Sequence, residues 1–129
     1  MKSPKQIFTP RIRIIQKLYN SLINPTEEIL YTKSRYKKFI KDVVSGTLER
    51  VELIEEKIEK HLSDDINLKR TDKLLKIILF AAIFELMFKH NNPTKVIISE
   101  YLKASEYFLE KTQIKYLNAI LDKISNNIR

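Results

Sequence analysis

Few residues in this sequence have the types and spacing that catalysis or metal binding requires. The two histidines, His61 and His90, have no other ligand-type residue at metal-binding spacing. The glutamates of residues 55–60 alternate with lysines, as they do on a solvated helix face. One glycine and no cysteine leave neither a glycine-rich phosphate loop nor a thiolate metal site. We therefore expect a protein that is not an enzyme and that needs no cofactor and no metal.

Basic residues that alternate with aromatic residues point to a different kind of chemistry. Residues 1–50 contain eleven Lys or Arg and four Asp or Glu, a net of +7, whereas residues 51–129 carry a net of only +1. This asymmetry indicates a polyanionic partner, because lysine and arginine neutralise phosphates. Exposed tyrosines can stack on unpaired bases, which contributes about 1–3 kcal/mol per base. The residues concerned include Lys2, Lys5, Arg11, Arg13, Lys17, Lys33, Arg35, Lys37, Lys38 and Lys41, with Phe8, Tyr19, Tyr31, Tyr36 and Phe39 among them.

The alternative interpretation of this basic half involves no partner at all. A lysine-rich composition can simply keep a protein in solution, and each single aromatic residue is by pattern alone more typical of a core than of a surface. The sequence leaves both interpretations open at this point.

The elements that position these side chains are predicted to be helices, because the apolar residues recur at helical spacing and strand-like alternation is absent. The first helix should begin at Thr9-Pro10, which suit a helix cap and first turn, and end at Asn24-Pro25. In it Ile15, Leu18 and Leu22, widened by Ile14 and Tyr19, form the predicted apolar face. The other predicted helices are a short one near Thr26, a long one over Ser34–Leu62 that Ser45-Gly46 bends or opens to a close neighbour, and three over about 71–89, 94–108 and 112–126.

These elements predict an all-α fold, a compact bundle of about six or seven helices in two packed subdomains. The predicted organisation is a single domain over residues 1–129, with a flexible basic tail (1–8), an N-terminal helical subdomain (9–62) and a C-terminal helical subdomain (71–129). The most apolar stretch, Leu74–Phe88, contains Lys76 and Glu85 and is shorter than the roughly 20 residues of a membrane span. We interpret it as a buried central helix and expect a cytoplasmic protein, with no membrane as partner.

Five segments of the chain resemble elements of the NusB family of transcription antitermination proteins. The segment 76–87 is similar to the family's central helix, which ends in an aromatic–Glu–Leu element. Residues 93–100 resemble its Pro-x-Lys-Val-x-Ile-x-Glu element, and residues 115–123 resemble its Lys-Phe-Val-Asn-Gly-Val-Leu-Asp-Lys element. Upstream, residues 16–19 are similar to Gln-Ala-Leu-Tyr, and residues 40–46 are similar to Phe-x-x-Leu-Val-x-Gly.

The resemblance implies a specific function. NusB proteins are all-α and have no catalytic activity. Together with NusE, a small-subunit ribosomal protein, they bind the boxA element of nascent RNA and join the RNA polymerase antitermination complex, notably on ribosomal RNA operons. The RNA-binding residues implied here are Arg11, Gln16 and Tyr19 on the first helix and Lys115, Tyr116 and Asn118 on the last, with Lys2, Lys5 and Arg13 adding positive charge. Glu85 matches the family's core-helix glutamate, to which we assign a structural role.

Two further interpretations belong to other classes of protein. The first is a helical protein-binding scaffold that retains the NusE face but binds RNA weakly or not at all. The second is a targeting domain, since NusB-like domains also occur fused to RNA cytosine methyltransferases. Some members of the family self-associate through the first helix, so we also consider a homodimer.

Overall fold

The computed structural model describes residues 9–61 and 70–129, and over these residues the regular secondary structure is all helix, with no strand. This confirms the predicted all-α fold. The predicted tail over residues 1–8 and the predicted stop at residues 63–65 lie outside the described residues. The six helices of the described part are α1 (Pro10–Ile23), α2 (Lys37–Glu49), α3 (Val51–His61), α4 (Lys73–Phe88), α5 (Thr94–Ser105) and α6 (Lys111–Ile128).

Helix α4 is the centre of the fold, because it packs against each of the other five helices. Its residues are apolar on nearly all sides, and every residue from Ile78 to Leu86 is buried. The prediction of a buried central helix is therefore confirmed. The N-cap of α4 is Asp72, whose carboxylate accepts hydrogen bonds from the backbone N–H groups of Leu74 (3.1 Å) and Leu75 (3.0 Å).

Helix α1 begins at Pro10 as predicted, and it packs between α2, α4 and α5. Its buried face consists of Ile12, Ile14, Ile15 and Leu18. Leu22, which was predicted on this face, is 49% exposed, because it lines an open pocket with Thr47 and Phe80 instead of packing in the core. Tyr19, predicted to widen the same face, is also exposed. The predicted face is thus correct over its first part and wrong over its last turn.

Two predicted helices are wrong. No short helix follows Thr26: residues 24–36 form turns, bends and chain without regular secondary structure. The predicted long helix over Ser34–Leu62 is divided at Arg50, whose backbone has φ −120° and ψ 26° and which separates α2 from α3. Both halves bury their apolar faces on α4, and α3 also contacts α6, so the turn at Arg50 lets each half reach its own neighbours.

Gly46 permits the close approach of α2 to α4 that the sequence indicated. A Cβ atom at this position would lie 2.2 Å from Cζ of Phe84, which is far closer than carbon atoms can pack. The Phe84 ring therefore occupies the space that any other side chain at position 46 would need, and the glycine is required by packing rather than by an unusual backbone angle.

Helices α5 and α6 complete the C-terminal part of the fold. Helix α5 ends at Ser105 and is followed by a turn, whereas the prediction extended it to residue 108. Helix α6 begins with a capping box in which Gln113 Oε1 accepts a hydrogen bond from the backbone N–H of Glu110 (2.9 Å). Across residues 9–61 and 70–129, no helix is both long and apolar enough to cross a membrane.

Candidate nucleic-acid interface

The outer face of α1 carries three of the predicted RNA-binding residues in one row. Arg13, Gln16 and Tyr19 follow each other at intervals of three residues, which places them as neighbours on the helix surface. Gln16 is exposed, and the side chain of Tyr19 is 38% exposed. The row therefore presents the Gln16 amide and the Tyr19 ring toward solvent, with the partly buried Arg13 beside them, a combination that can hydrogen-bond and stack on unpaired bases.

One edge of this row is joined to the chain that connects α1 and α2. Arg13 Nη1 donates a hydrogen bond to Thr32 Oγ1 (2.8 Å), and Lys17 Nζ donates to the backbone carbonyl of Leu30. The Lys17 ammonium also lies 5.5 Å from the centre of the Tyr31 ring. The two cations on this edge of α1 therefore hold the connecting segment in place, and they are only partly available to an external anion.

The connecting segment also contacts α2, through Tyr31. The Tyr31 hydroxyl lies close to Ser45, which lowers the pKa of that hydroxyl, but burial of the ring outweighs this and raises the pKa. The connecting segment therefore crosses the surface between α1 and α2 and lies in contact with both helices. This fixes the position of the residues that follow it, including the basic residues at the start of α2.

Arg11 points in the opposite direction, into the protein. Its Nε and Nη2 atoms donate hydrogen bonds to the two carboxylate oxygens of Glu85 at 3.1 and 2.7 Å. The side chain of Glu85 is fully buried and that of Arg11 is 13% exposed, so this is a bidentate ion pair inside the fold. The burial predicted for Glu85 is confirmed. A contact between Arg11 and RNA stays a prediction. For such a contact, the Arg11 guanidinium would have to bind RNA as well as the Glu85 carboxylate.

Further groups surround this ion pair. Asn92 Nδ2 donates a hydrogen bond to Glu85 Oε1 (3.2 Å), and the Arg11 guanidinium lies 4.9 Å from the centre of the Phe39 ring and 5.8 Å from that of Tyr101. Burial lowers the pKa of Arg11, but the hydrogen bond and charge of Glu85 outweigh it, so the net shift is upward. Burial, with the Glu85 charge added, raises the pKa of Tyr101 well above its ordinary value. The pair thus consists of a charged arginine and its carboxylate, held among buried rings.

Arg129 forms a second structural cluster beside the first one, and its role was not predicted from the sequence. Its guanidinium donates to carbonyl oxygens at the C-terminal end of α4, where unpaired carbonyls and the helix dipole attract a cation. No local pattern could reveal this contact, since it joins residues more than thirty-five positions apart. The acceptors are the carbonyls of Leu86 (2.8 Å), Lys89 (2.9 Å), Glu85 (3.2 Å) and Asn92 (2.5 Å).

The second predicted set of RNA-binding residues lies on α6. Lys115, Tyr116 and Asn118 are all exposed, and Tyr116 is 38% exposed. Tyr116 lies in a shallow depression with Thr112 and the first turn of α4. Helix α6 packs on α3, α4 and α5, whereas α1 packs on α2, α4 and α5, so the two predicted sets sit on different helices separated by the core. Lys2 and Lys5 lie outside the described residues.

Residues that could hold a metal ion do not converge in the described ranges 9–61 and 70–129. No group of three or more His, Asp or Glu side chains there is arranged to hold one. His61 lies in the last turn of α3, and His90 lies in the loop after α4.

An all-α fold centred on α4 places the protein in the class of small helical-bundle proteins. Comparison with known proteins identifies the family: residues 10–126 match the NusB family, and the chain belongs to it. The transcription antitermination protein NusB of Mesorhizobium japonicum is 35% identical over 92 residues, which cover 71% of this chain and 59% of that protein. Its counterpart in Nitrobacter hamburgensis is 34% identical over 91 residues, covering 70% and 57%. The matched part of the chain thus spans less than two thirds of these relatives.

A solved structure shows the same fold. The structure of T. maritima NusB superimposes with a TM-score of 0.79, covering 98% of this chain and 93% of the other. The two sequences are 23% identical, so this likeness establishes the arrangement of helices and no more. The predicted NusB-like architecture is confirmed.

Proposed function

We propose that this protein is a transcription antitermination factor that binds boxA-type single-stranded RNA together with NusE. In this role it would join the RNA polymerase antitermination complex in the cytoplasm and promote transcription of ribosomal RNA. The observation that carries the proposal is the row of Arg13, Gln16 and Tyr19 on α1 of a NusB-family chain, in which Gln16 and Tyr19 are exposed. The name of the relatives, transcription antitermination protein, supports the cellular process.

The proposed mechanism is binding and positioning, without a chemical step. The Tyr19 ring offers a face on which an unpaired base can stack, and the Gln16 amide can both donate and accept hydrogen bonds at a base edge. Lys115, Tyr116 and Asn118 on α6 would provide a second set of contacts to the same RNA or to its protein partner. Because stacking and base-edge bonds need unpaired bases, the preferred ligand is a single strand.

Fluorescence anisotropy tests this proposal. A labelled boxA-like RNA is titrated with the protein, with and without NusE, at low and at moderate salt. We expect salt-sensitive binding that NusE strengthens, and we expect Tyr19→Ala to weaken it by about 1–3 kcal/mol while Tyr19→Phe, which keeps the ring, does not. Absence of binding at low salt with both proteins present would refute the RNA role. Sedimentation in parallel detects a homodimer that covers α1.

The second candidate function is a scaffold that binds NusE with little or no RNA affinity. The observation that favours it is that three cations of α1 already have internal partners: Arg11 with Glu85, Arg13 with Thr32, and Lys17 with the carbonyl of Leu30. NusE binding that is unaffected by Tyr19→Ala, combined with no measurable RNA binding, would favour the scaffold.

A further inference from the structure

A second basic surface lies beside α1, on the end of the connecting segment and the first turns of α2. It consists of Lys33, Arg35, Lys37, Lys38 and Lys41, and we refer to these five residues as the α2 basic surface. All five side chains are exposed. Within the described ranges none of them forms a salt bridge with a carboxylate.

The one acidic residue close to this surface in sequence is already neutralised. Asp42 follows Lys41 directly, and its carboxylate lies 3.6 Å from the ammonium group of Lys89 on α4. Glu27 and Glu28 lie at the other end of the connecting segment, next to the end of α1. The α2 basic surface therefore concentrates five positive charges without local compensation, which is the arrangement that attracts a polyanion.

Contacts already described fix this surface next to the outer face of α1. Thr32, which accepts the hydrogen bond of Arg13, directly precedes Lys33. Tyr31 contacts Ser45 on α2, and Lys41 and Lys38 lie four and seven residues before Ser45 on the same face of that helix. Seven residues of helix span only about 10 Å. A strand held on the Gln16 and Tyr19 row would therefore meet these lysines as it continues across the connecting segment.

We propose that the α2 basic surface binds the phosphate backbone of single-stranded RNA nucleotides that flank those held on α1. The proposal rests on the proposed function. It extends the RNA-binding site from α1 onto a second surface, so that the site covers a longer stretch of RNA. An exposed aromatic group favours RNA over an acidic protein as the occupant: Tyr36 is 44% exposed, and the guanidinium of Arg35 lies 5.5 Å from its ring centre. Cations combined with an exposed ring are typical of surfaces that bind single strands.

The salt dependence of binding gives the expected size of the effect. Each phosphate contact to a single strand contributes a slope of about −0.7 to the plot of log affinity against log salt concentration. Four contacts contribute a slope of about −2.8, which corresponds to a loss of about 50-fold in affinity when salt rises from about 50 to about 200 mM. A variant that lacks these contacts should lose that part of the salt sensitivity.

The test compares two variants that lose the same charge. The first is K33Q/K37Q/K38Q/K41Q, and the control is K60Q/K95Q/K103Q/K123Q, whose lysines are exposed on α3, α5 and α6. Each variant is titrated with a short boxA-like RNA and with the same RNA extended at both ends by uridine tracts. Thermal melting by circular dichroism verifies that both variants are folded.

We expect a loss of affinity only for the variant of the α2 basic surface, and only with the extended RNA. K33Q/K37Q/K38Q/K41Q should bind the extended RNA more weakly, with a slope reduced by up to about 2.8, and should bind the short RNA like the control does. Equal losses for both variants, or for both RNAs, would overturn the proposal and leave the proposed function intact. A variant that keeps RNA affinity but loses NusE would also overturn it, since the surface would then bind protein. No RNA binding by the unmodified protein would overturn both proposals.

Discussion

Replacing Arg11 with alanine would leave the carboxylate of Glu85 buried without its charged partner. The pair has good geometry, with two hydrogen bonds of 3.1 and 2.7 Å, and Glu85 is fully buried. Removing one member of a buried ion pair costs about 3–5 kcal/mol, because the remaining charge is neither solvated nor paired. The hydrogen bond from Asn92 survives, so we expect Arg11→Ala to lie near the lower end of this range.

Urea unfolding measures this cost directly. The free energy of unfolding in water is extrapolated for four proteins: the unmodified protein, Arg11→Ala, Glu85→Gln and the double variant. The dependence of this free energy on urea concentration should be the same for all four, which verifies that each unfolds in the same way. We expect both single variants to be destabilised and their effects to be far from additive, since the two residues contact each other. An apolar pair, Arg11→Met with Glu85→Leu, should recover much of the stability, because well-packed apolar residues often replace a buried pair without loss.

The same series separates structure from RNA binding at Arg11. If the ion pair is structural, the apolar pair is folded and its affinity for RNA falls only slightly. A free energy of unfolding for Arg11→Ala within about 0.5 kcal/mol of the unmodified protein would refute the reasoning, because changes of that size are typical of surface residues. Arg11 would then be free to contact RNA, as the family resemblance implies.

Three further predictions concern stability and are read from chemical denaturation midpoints. Gly46→Ala should destabilise by about 1–3 kcal/mol, since its Cβ would lie 2.2 Å from a ring carbon of Phe84; an unchanged midpoint would show that the ring moves aside at no cost. Arg129→Ala should cost about 1.5–3 kcal/mol, because carbonyls at the end of α4 lose a charged donor, and Arg129→Lys should recover only part of it. Thr47→Val should stabilise by ~1 kcal/mol, as the Thr47 hydroxyl is buried with no hydrogen-bond partner in the described part of the chain; a lower midpoint would reveal a partner.

The sequence predicted those elements whose signal is local. Helix α4 could be recognised because it is apolar on nearly every side, and the start of α1 because Thr9-Pro10 has the residue types of a helix start. The division at Arg50 could not be predicted, since neither proline nor glycine marks it and its cause is the packing of two halves against α4 and α6. The exposure of Leu22 likewise depends on tertiary packing, since it lines an open pocket between helices.

The candidate site shows the same limit. Sequence spacing placed Arg13, Gln16 and Tyr19 on one helix, and Gln16 and Tyr19 are exposed there. It could not reveal that Arg11 points inward to Glu85, because the two residues are 74 positions apart and the pairing arises only when α1 packs on α4. Residue type alone does not distinguish an arginine that binds phosphate from one that balances a buried carboxylate.

The internal partners of α1 indicate a division of roles between the two surfaces proposed here to bind RNA. With the cations of α1 bonded to Glu85, Thr32 and the carbonyl of Leu30, this helix contributes mainly stacking and base-edge contacts, whose energy depends little on salt. The α2 basic surface carries unpaired charge and contributes mainly counterion release. Tyr19→Ala should therefore weaken RNA binding equally at all salt concentrations, whereas K33Q/K37Q/K38Q/K41Q should change the slope. If Tyr19→Ala also changed the slope, the α1 cations would have to release their internal partners on binding.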